Sequence, residues 1–184
     1  MGWIDFLDRS AFMLIEALAE KKQHLRGLAE ATGLAPSTVH KKMSAMLGQE
    51  MVIAEKRKNA KFFAPNYASP LTAKTISLIF AAKITNCRAF AKLKKMKPLG
   101  IYVFGTAASG KIAADSDIDL AVLFEKKPDM IALGEIKMQM GNELGREVQV
   151  IALTPEKVRS MEKEGAELLR EIRCKSAVLW GAEF

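Results

Sequence analysis

The sequence predicts an α+β chain of two modules with unlike tasks, joined by a long helix. Charge is the first observation behind this. Residues 1–70 carry a net +3, residues 71–98 a net +7 with no acid at all, and residues 99–184 a net −3. Apolar spacing is the second: it is helical over most of the first fifty residues, while Ile118–Phe124 alternates as a strand does. The third is a stretch from 71 to 96 without glycine or proline. The modules are set at 1–68 and 99–184, with a linker helix over 69–98. With 49% hydrophobic and 27% charged residues the chain is expected to fold rather than remain disordered.

In the first module Ser10 is the expected cap of a helix over 10–22 that buries Phe12, Ile15, Leu18 and Ala19. A second helix fits 24–31, ended by Gly33, and a third runs from Pro36 to about 48 over Val39, Met43, Met46 and Leu47. Met51–Ala54 and Lys61–Ala64 read as two strands around the basic loop Glu55-Lys56-Arg57-Lys58-Asn59. Three helices followed by a basic hairpin resemble the winged helix-turn-helix of bacterial and archaeal regulators, over about residues 8–66. On that resemblance Ser37, Thr38, His40, Lys41 and Lys42 lie on or near the exposed face of the recognition helix. Lys56, Arg57, Lys58 and Lys61 form a wing that meets phosphate. Ser37 and Thr38 also suit a helix cap, and the same unit serves dimerisation or protein docking elsewhere. His24 and His40 lack partners at metal-ligand spacing and are expected on the surface.

Residues 71–96 repeat Ile76, Ile79, Phe80, Ile84, Cys87 and Phe90 on one face, and are expected to form one amphipathic helix stopped by Pro98. Its basic end complements the helix dipole, which is a sufficient reason for it. The apolar face suits packing between modules or a homodimer.

The second module carries the chemistry. Leu99–Phe104 reads as a buried strand running into the small-residue turn Gly105-Thr106-Ala107-Ala108-Ser109-Gly110-Lys111. Backbone N–H groups at such a turn bind phosphate oxygens. In Asp117-Ile118-Asp119-Leu120-Ala121-Val122-Leu123-Phe124 the period of two sends both aspartates to one face and Ile118, Leu120, Val122 and Phe124 into the core. Two neighbouring carboxylates repel unless a cation lies between them, and oxygen donors of this kind suit Mg2+ or Mn2+ on a triphosphate. Helices follow over 129–144, from Pro155 after Thr154, and over 164–175. Trp180 is expected to pack rather than to stack on a base.

Gly105-Thr106, Gly110 and Ser116-Asp117-Ile118-Asp119-Leu120 resemble the motif of the nucleotidyltransferases of the DNA polymerase β superfamily, the minimal ones above all. The resemblance covers about residues 99–180. It implies a mixed sheet with helices on one face, two divalent ions on Asp117 and Asp119, and transfer of a nucleoside monophosphate with release of pyrophosphate. It also implies triphosphate contacts from Gly105, Thr106, Ser109 and Lys111, Lys111 standing near the place of a usual arginine. A third carboxylate belongs on a later strand. Here that strand is Glu147-Val148-Gln149-Val150-Ile151-Ala152-Leu153, and Gln149 holds the expected position. An amide coordinates through oxygen but is no base. Glu147, about 7 Å along the same strand face, is the acid left to complete the catalytic set.

The leading expectation is a metal-dependent nucleotidyltransferase coupled to a winged helix that binds DNA or RNA. The acceptor is left open among a small molecule, an RNA end and a protein hydroxyl, as in antitoxin nucleotidyltransferases paired with HEPN toxins. The alternative is a transcriptional regulator whose second module senses nucleotide without turning it over; a third reading is a non-catalytic assembly partner. Cys87 and Cys174 form no metal or disulfide pattern. No run of about eighteen apolar residues and no leader-like start is present, so a cytoplasmic protein without a membrane span is expected.

Overall fold

A computed structural model describes residues 7–57, 60–113 and 115–183. The chain divides into two compact units, Met1–Ile79 with Gly110–Ala114, and Phe80–Ser109 with Asp115–Phe184.

The first unit holds α1 (Arg9–Glu20), β1 (Gln23–His24), α2 (Leu25–Thr32), α3 (Pro36–Gly48), β2 (Val52–Arg57) and β3 (Ala60–Pro65). Asp8, not Ser10, caps α1 through its side chain. Pro36 sits at the first turn of α3, where its missing N–H costs nothing. Gly33 ends α2 in the left-handed conformation. The helices close over Leu14, Ile15, Leu28, Val39, Met43 and Met46. The sheet has the order β1-β3-β2, all antiparallel. The two-residue β1 was not expected, being too short to show a period. His24 ends it and caps α2, its Nδ1 accepting from the Gly27 N–H at 2.8 Å while its ring stands edge-on to Phe62.

One expectation fails here. Lys42 is not on the open face of α3: its side chain is only 15% exposed and pairs with Asp8 at 2.7 Å. The hydrogen bond from Lys42, ahead of that from the Ala11 N–H, holds the Asp8 carboxyl below the usual carboxylate range. A depressed carboxylate stabilises the fold above its unfolded pKa and loses that contribution as pH falls through the lowered value. Asp8→Ala is therefore expected to cost about 1 kcal/mol at neutral pH, as N-cap losses do. The difference from wild type should shrink in acid, as read from urea unfolding at pH 7 and pH 3.

The helix expected over 69–98 is two helices, α4 (Pro70–Asn86) and α5 (Arg88–Lys95), and the unit boundary falls within α4. Cys87 adopts an extended conformation and caps α5, its Sγ accepting from the Phe90 N–H. Glu143, from α7 (Met130–Leu144), completes the cap by accepting from the N–H groups of Arg88 (2.6 Å) and Ala89 (3.2 Å). The break is imposed from 54 and 55 residues away, so no local glycine or proline announces it.

The second unit is built on β4 (Gly100–Phe104), β5 (Ile118–Leu123), β6 (Val148–Leu153) and β7 (Ala177–Gly181), in the order β6-β5-β4-β7. β5 and β6 are parallel and the other pairs antiparallel, so the sheet is mixed as expected. β7 joins it through the run expected only to be apolar, and Trp180 on it stays 39% exposed. On one face Tyr102, Phe104, Ala121 and Leu153 pack with Ile172, Leu168, Val158 and Met161. These last four come from α8 (Pro155–Lys163) and α9 (Glu167–Lys175). The opposite face, Ile101, Val103, Ile118, Leu120 and Val122, is equally buried, and α7 packs against α5 and β6. The sheet is therefore covered on both faces, where the resemblance implied helices on one. No helix among the described residues is long and apolar enough to cross a membrane.

Candidate active site

The alternation that sends Ile118, Leu120 and Val122 to one face leaves Asp119 on the other, in line with Ala121. Register then lays a row across the sheet, with Phe104 opposite Asp119 and Asp119 opposite Gln149. β4 ends at Phe104, and the chain turns at once into the short helix α6 (Gly105–Ser109).

Gly105 makes that turn with φ +66, and a Cβ there would lie 2.7 Å from Asp119 Oδ2. Only glycine satisfies both conditions, so the turn and the carboxylate are built against each other. Asp117 stands just before β5, where its Oδ2 accepts from Gln149 Nε2 at 3.1 Å. Gln149 thus reaches the carboxylate pair as expected, but as a donor that orients Asp117.

Burial first, then the charges of Asp117 and Glu171, raise the pKa of Asp119. A dication would relieve all of these costs. Among the described residues no three His, Cys, Asp or Glu side chains are grouped to hold a metal. A pair of carboxylates nonetheless fits Mg2+, which takes one or two protein carboxylates and fills its shell with waters and phosphate oxygens.

Thr106 is exposed at the start of α6. Ser109 is also exposed, but its hydroxyl donates to the Thr106 carbonyl at 3.2 Å. Lys111 is exposed on the segment that clusters with the first unit. Glu147 is exposed immediately before β6, its carbonyl accepting from the Ile118 N–H, and it lines a groove with Lys137, Met138 and Gly141 of α7.

Two residues here escaped the sequence reading. Arg146 is buried, donates from Nη1 to the Ser116 carbonyl at 3.0 Å and lies 5.2 Å from the Phe80 ring centre, so it fixes the approach to Asp117. Glu171 lies beside Ile172 on α9, the helix that packs on β4 and α6. The signal for it was present: Leu168, Glu171 and Ile172 share one helix face, so an acid falls among inward positions.

In the first unit Ser37, His40 and Lys41 are exposed along α3, while Thr38 is half-buried. Lys56 and Lys61 are exposed and directly opposite across β2 and β3. Lys61 Nζ lies 5.5 Å from the Phe63 ring centre. Arg57 ends β2, and Lys58 lies outside the described residues.

Comparison with known proteins finds a separate family for each part of the chain. Residues 86–176 match the family model "Polymerase beta, Nucleotidyltransferase", and residues 7–52 match "IclR helix-turn-helix domain". A search of curated proteins finds no match. Among solved structures the chain is similar to a complex of tri-AMPylated Shewanella oneidensis HEPN toxin with MNT antitoxin. That similarity has 23% identity, 58% of this chain, 73% of that one and a TM-score of 0.40. A toxin–antitoxin with AMP-PNP is similar at 24% identity, covering 53% of this chain and 76% of the other, with a TM-score of 0.40. A mutant of the toxin–antitoxin MntA–HpeT is similar at 22%, with the same coverages and TM-score. The chain carries a nucleotidyltransferase domain of the polymerase beta type over residues 86–176, preceded over residues 7–52 by a helix-turn-helix domain of the IclR type.

Proposed function

We propose that the second unit transfers a nucleoside monophosphate from a nucleoside triphosphate to a hydroxyl, under the control of nucleic acid bound by the first. One observation carries this reading: a carboxylate pair at the start of β5, with Asp119 pressed against the Gly105 turn. Asp117 and Asp119 hold Mg2+ or Mn2+, Gln149 keeps Asp117 aimed, and the Gly105–Thr106 turn offers N–H groups to the triphosphate. When bound, the metal neutralises charge on the triphosphate and favours departure of pyrophosphate. Ser109 adds a polar contact to the nucleotide, and Glu147, exposed immediately before β6, is the acid that the strand side offers. The acceptor is a hydroxyl of a HEPN-type partner protein, of a small molecule or of an RNA end. Incubation with labelled ATP, CTP, GTP or UTP, Mg2+ or Mn2+ and a cell extract tests the proposal. Label is expected on a macromolecule or small acceptor, and its absence with every nucleotide would refute transfer.

For the first unit the reading is DNA binding, with RNA as the alternative polyanion. Lys56 faces Lys61 directly, a like-charge pair that costs stability until phosphate lies over it. Alanine at Lys41, Lys56 or Lys61 is expected to weaken binding and to lower the salt slope by about one for each phosphate the variant no longer neutralises. Lys42→Ala should instead lower the stability of the fold while leaving the salt slope unchanged. Fluorescence anisotropy across a salt series, beside urea unfolding, checks both.

A second reading is favoured by Gln149. Its amide donates to Asp117 and accepts no proton, as suits a nucleotide-sensing regulator. Metal-dependent nucleotide binding and specific DNA binding without transfer would establish it.

A further inference from the structure

Transfer to a hydroxyl needs a group that takes the hydroxyl's proton. Asp117 and Asp119 are engaged as cation ligands on the reading above, and the neighbouring strand offers an amide. We propose that this proton acceptor is Glu171, supplied by α9 instead of by a strand. This rests on the nucleotidyl-transfer reading and names the base that reading lacks.

The placement follows from packing. Phe104, Asp119 and Gln149 form one row across the sheet, and the face they share is the face α9 covers. Ile172 belongs to the core cluster of Phe104, Tyr102 and Ala121, and Leu168 packs against it one turn earlier. Glu171 follows Leu168 by three positions and is half-buried, so its side chain stands on the flank of the face that α9 packs on the sheet. The helix also contacts α6, which begins at Gly105. The Glu171 charge registers at Asp119, after burial and Asp117, as a cause of its raised pKa. Yet Glu171 forms no three-carboxylate metal cluster with the two aspartates. Its charge is felt at Asp119, and in the proposed step it takes the proton while Asp117 and Asp119 hold the cation.

In the step, the acceptor oxygen attacks the α-phosphorus and forms the new P–O bond. The bond from that phosphorus to the oxygen bridging to the β-phosphorus breaks, and pyrophosphate leaves with the electron pair. The hydroxyl proton passes to the Glu171 carboxylate and then to water.

Glu171→Gln keeps size and polarity but cannot accept the proton. It is expected to slow transfer of the α-phosphate label by about 10²–10⁴-fold, the usual contribution of a general base. Its calorimetric affinity for a non-hydrolysable ATP analogue with Mn2+ should stay near the wild-type value, and its unfolding midpoint should not fall. Glu171→Asp should restore part of the rate. Full activity in Glu171→Gln, or loss confined to Glu147→Gln, would overturn the assignment while leaving nucleotidyl transfer intact. Loss of analogue binding in Glu171→Gln would overturn it too, making Glu171 a ligand-binding group. A wild-type chain that binds the analogue and transfers nothing would refute the nucleotidyl-transfer reading itself, and the assignment with it.

Discussion

Asp119→Asn is expected to abolish transfer and, in the absence of metal, to make the protein more stable. The two effects have one cause. Asp119 is desolvated and faces Asp117 and Glu171, so its ionised form is disfavoured in the fold and its pKa is raised. Above both the unfolded and the folded values, that ionised carboxylate costs stability. As pH rises from the ordinary carboxylate range through the raised value, the native protein must release a proton it holds more tightly than the unfolded chain does. An uncharged isostere removes this cost, and a gain of about 0.5–2 kcal/mol, the size of a typical single stabilising substitution, is expected. In a chain of this size each 1 kcal/mol moves Tm by about 2–4 °C. Mn2+ should raise the Tm of wild type and leave Asp119→Asn unmoved, because only a species that binds the native state shifts the equilibrium. Transfer should fall by about 10³-fold or more in Asp119→Asn and in Asp117→Asn, since both remove charge aimed at the reacting phosphate. Thermal unfolding with EDTA and with Mn2+, beside the labelled-nucleotide assay, reads all of these.

Gly105→Ala is the second large effect. The left-handed backbone costs an alanine about 1–2 kcal/mol. The new Cβ would also lie 2.7 Å from Asp119 Oδ2, so the carboxylate must move. A displacement of about 1 Å at a reacting centre costs about 10²-fold in rate. The two costs separate in a double-mutant cycle. In an Asp119→Ala background the backbone strain remains but the clash is gone, so Gly105→Ala should destabilise the double variant less than it destabilises wild type. Equal costs in the two backgrounds would mean that the turn and the carboxylate are independent. Urea unfolding of the four proteins measures this.

What the sequence disclosed and what it hid divide along a physical line. Short-range devices were legible: Pro36 and Pro155 at the first turns of α3 and α8, Thr154 as a cap, and Gly33 as a stop. So was the alternation of β5, which alone places Asp119 with its side chain away from Ile118 and Leu120. Features made by distant partners were not. Nothing near Cys87 shows that Glu143 will cap a new helix there, and nothing near Lys42 shows that Asp8 will draw it off the recognition face. The same holds at the site. Gln149 was found through the resemblance, at the expected place of a third carboxylate, and strand register sets it opposite Asp119, whereas Glu171 arrives on a helix whose docking only the packed core defines. Nothing near Arg146 in the sequence shows that it is buried against the Ser116 carbonyl and the Phe80 ring.

The most direct test of the central claim follows the phosphorus. The protein is incubated with Mg2+ or Mn2+, cell extract and either of two labelled preparations of the same nucleoside triphosphate. One carries the label at the α-phosphate and the other at the γ-phosphate. Nucleotidyl transfer at Asp117 and Asp119 predicts that the α label enters the acceptor, that the γ label leaves in pyrophosphate, and that both aspartate variants lose the reaction. Entry of the γ label, or no entry of either label from any nucleotide, would contradict it.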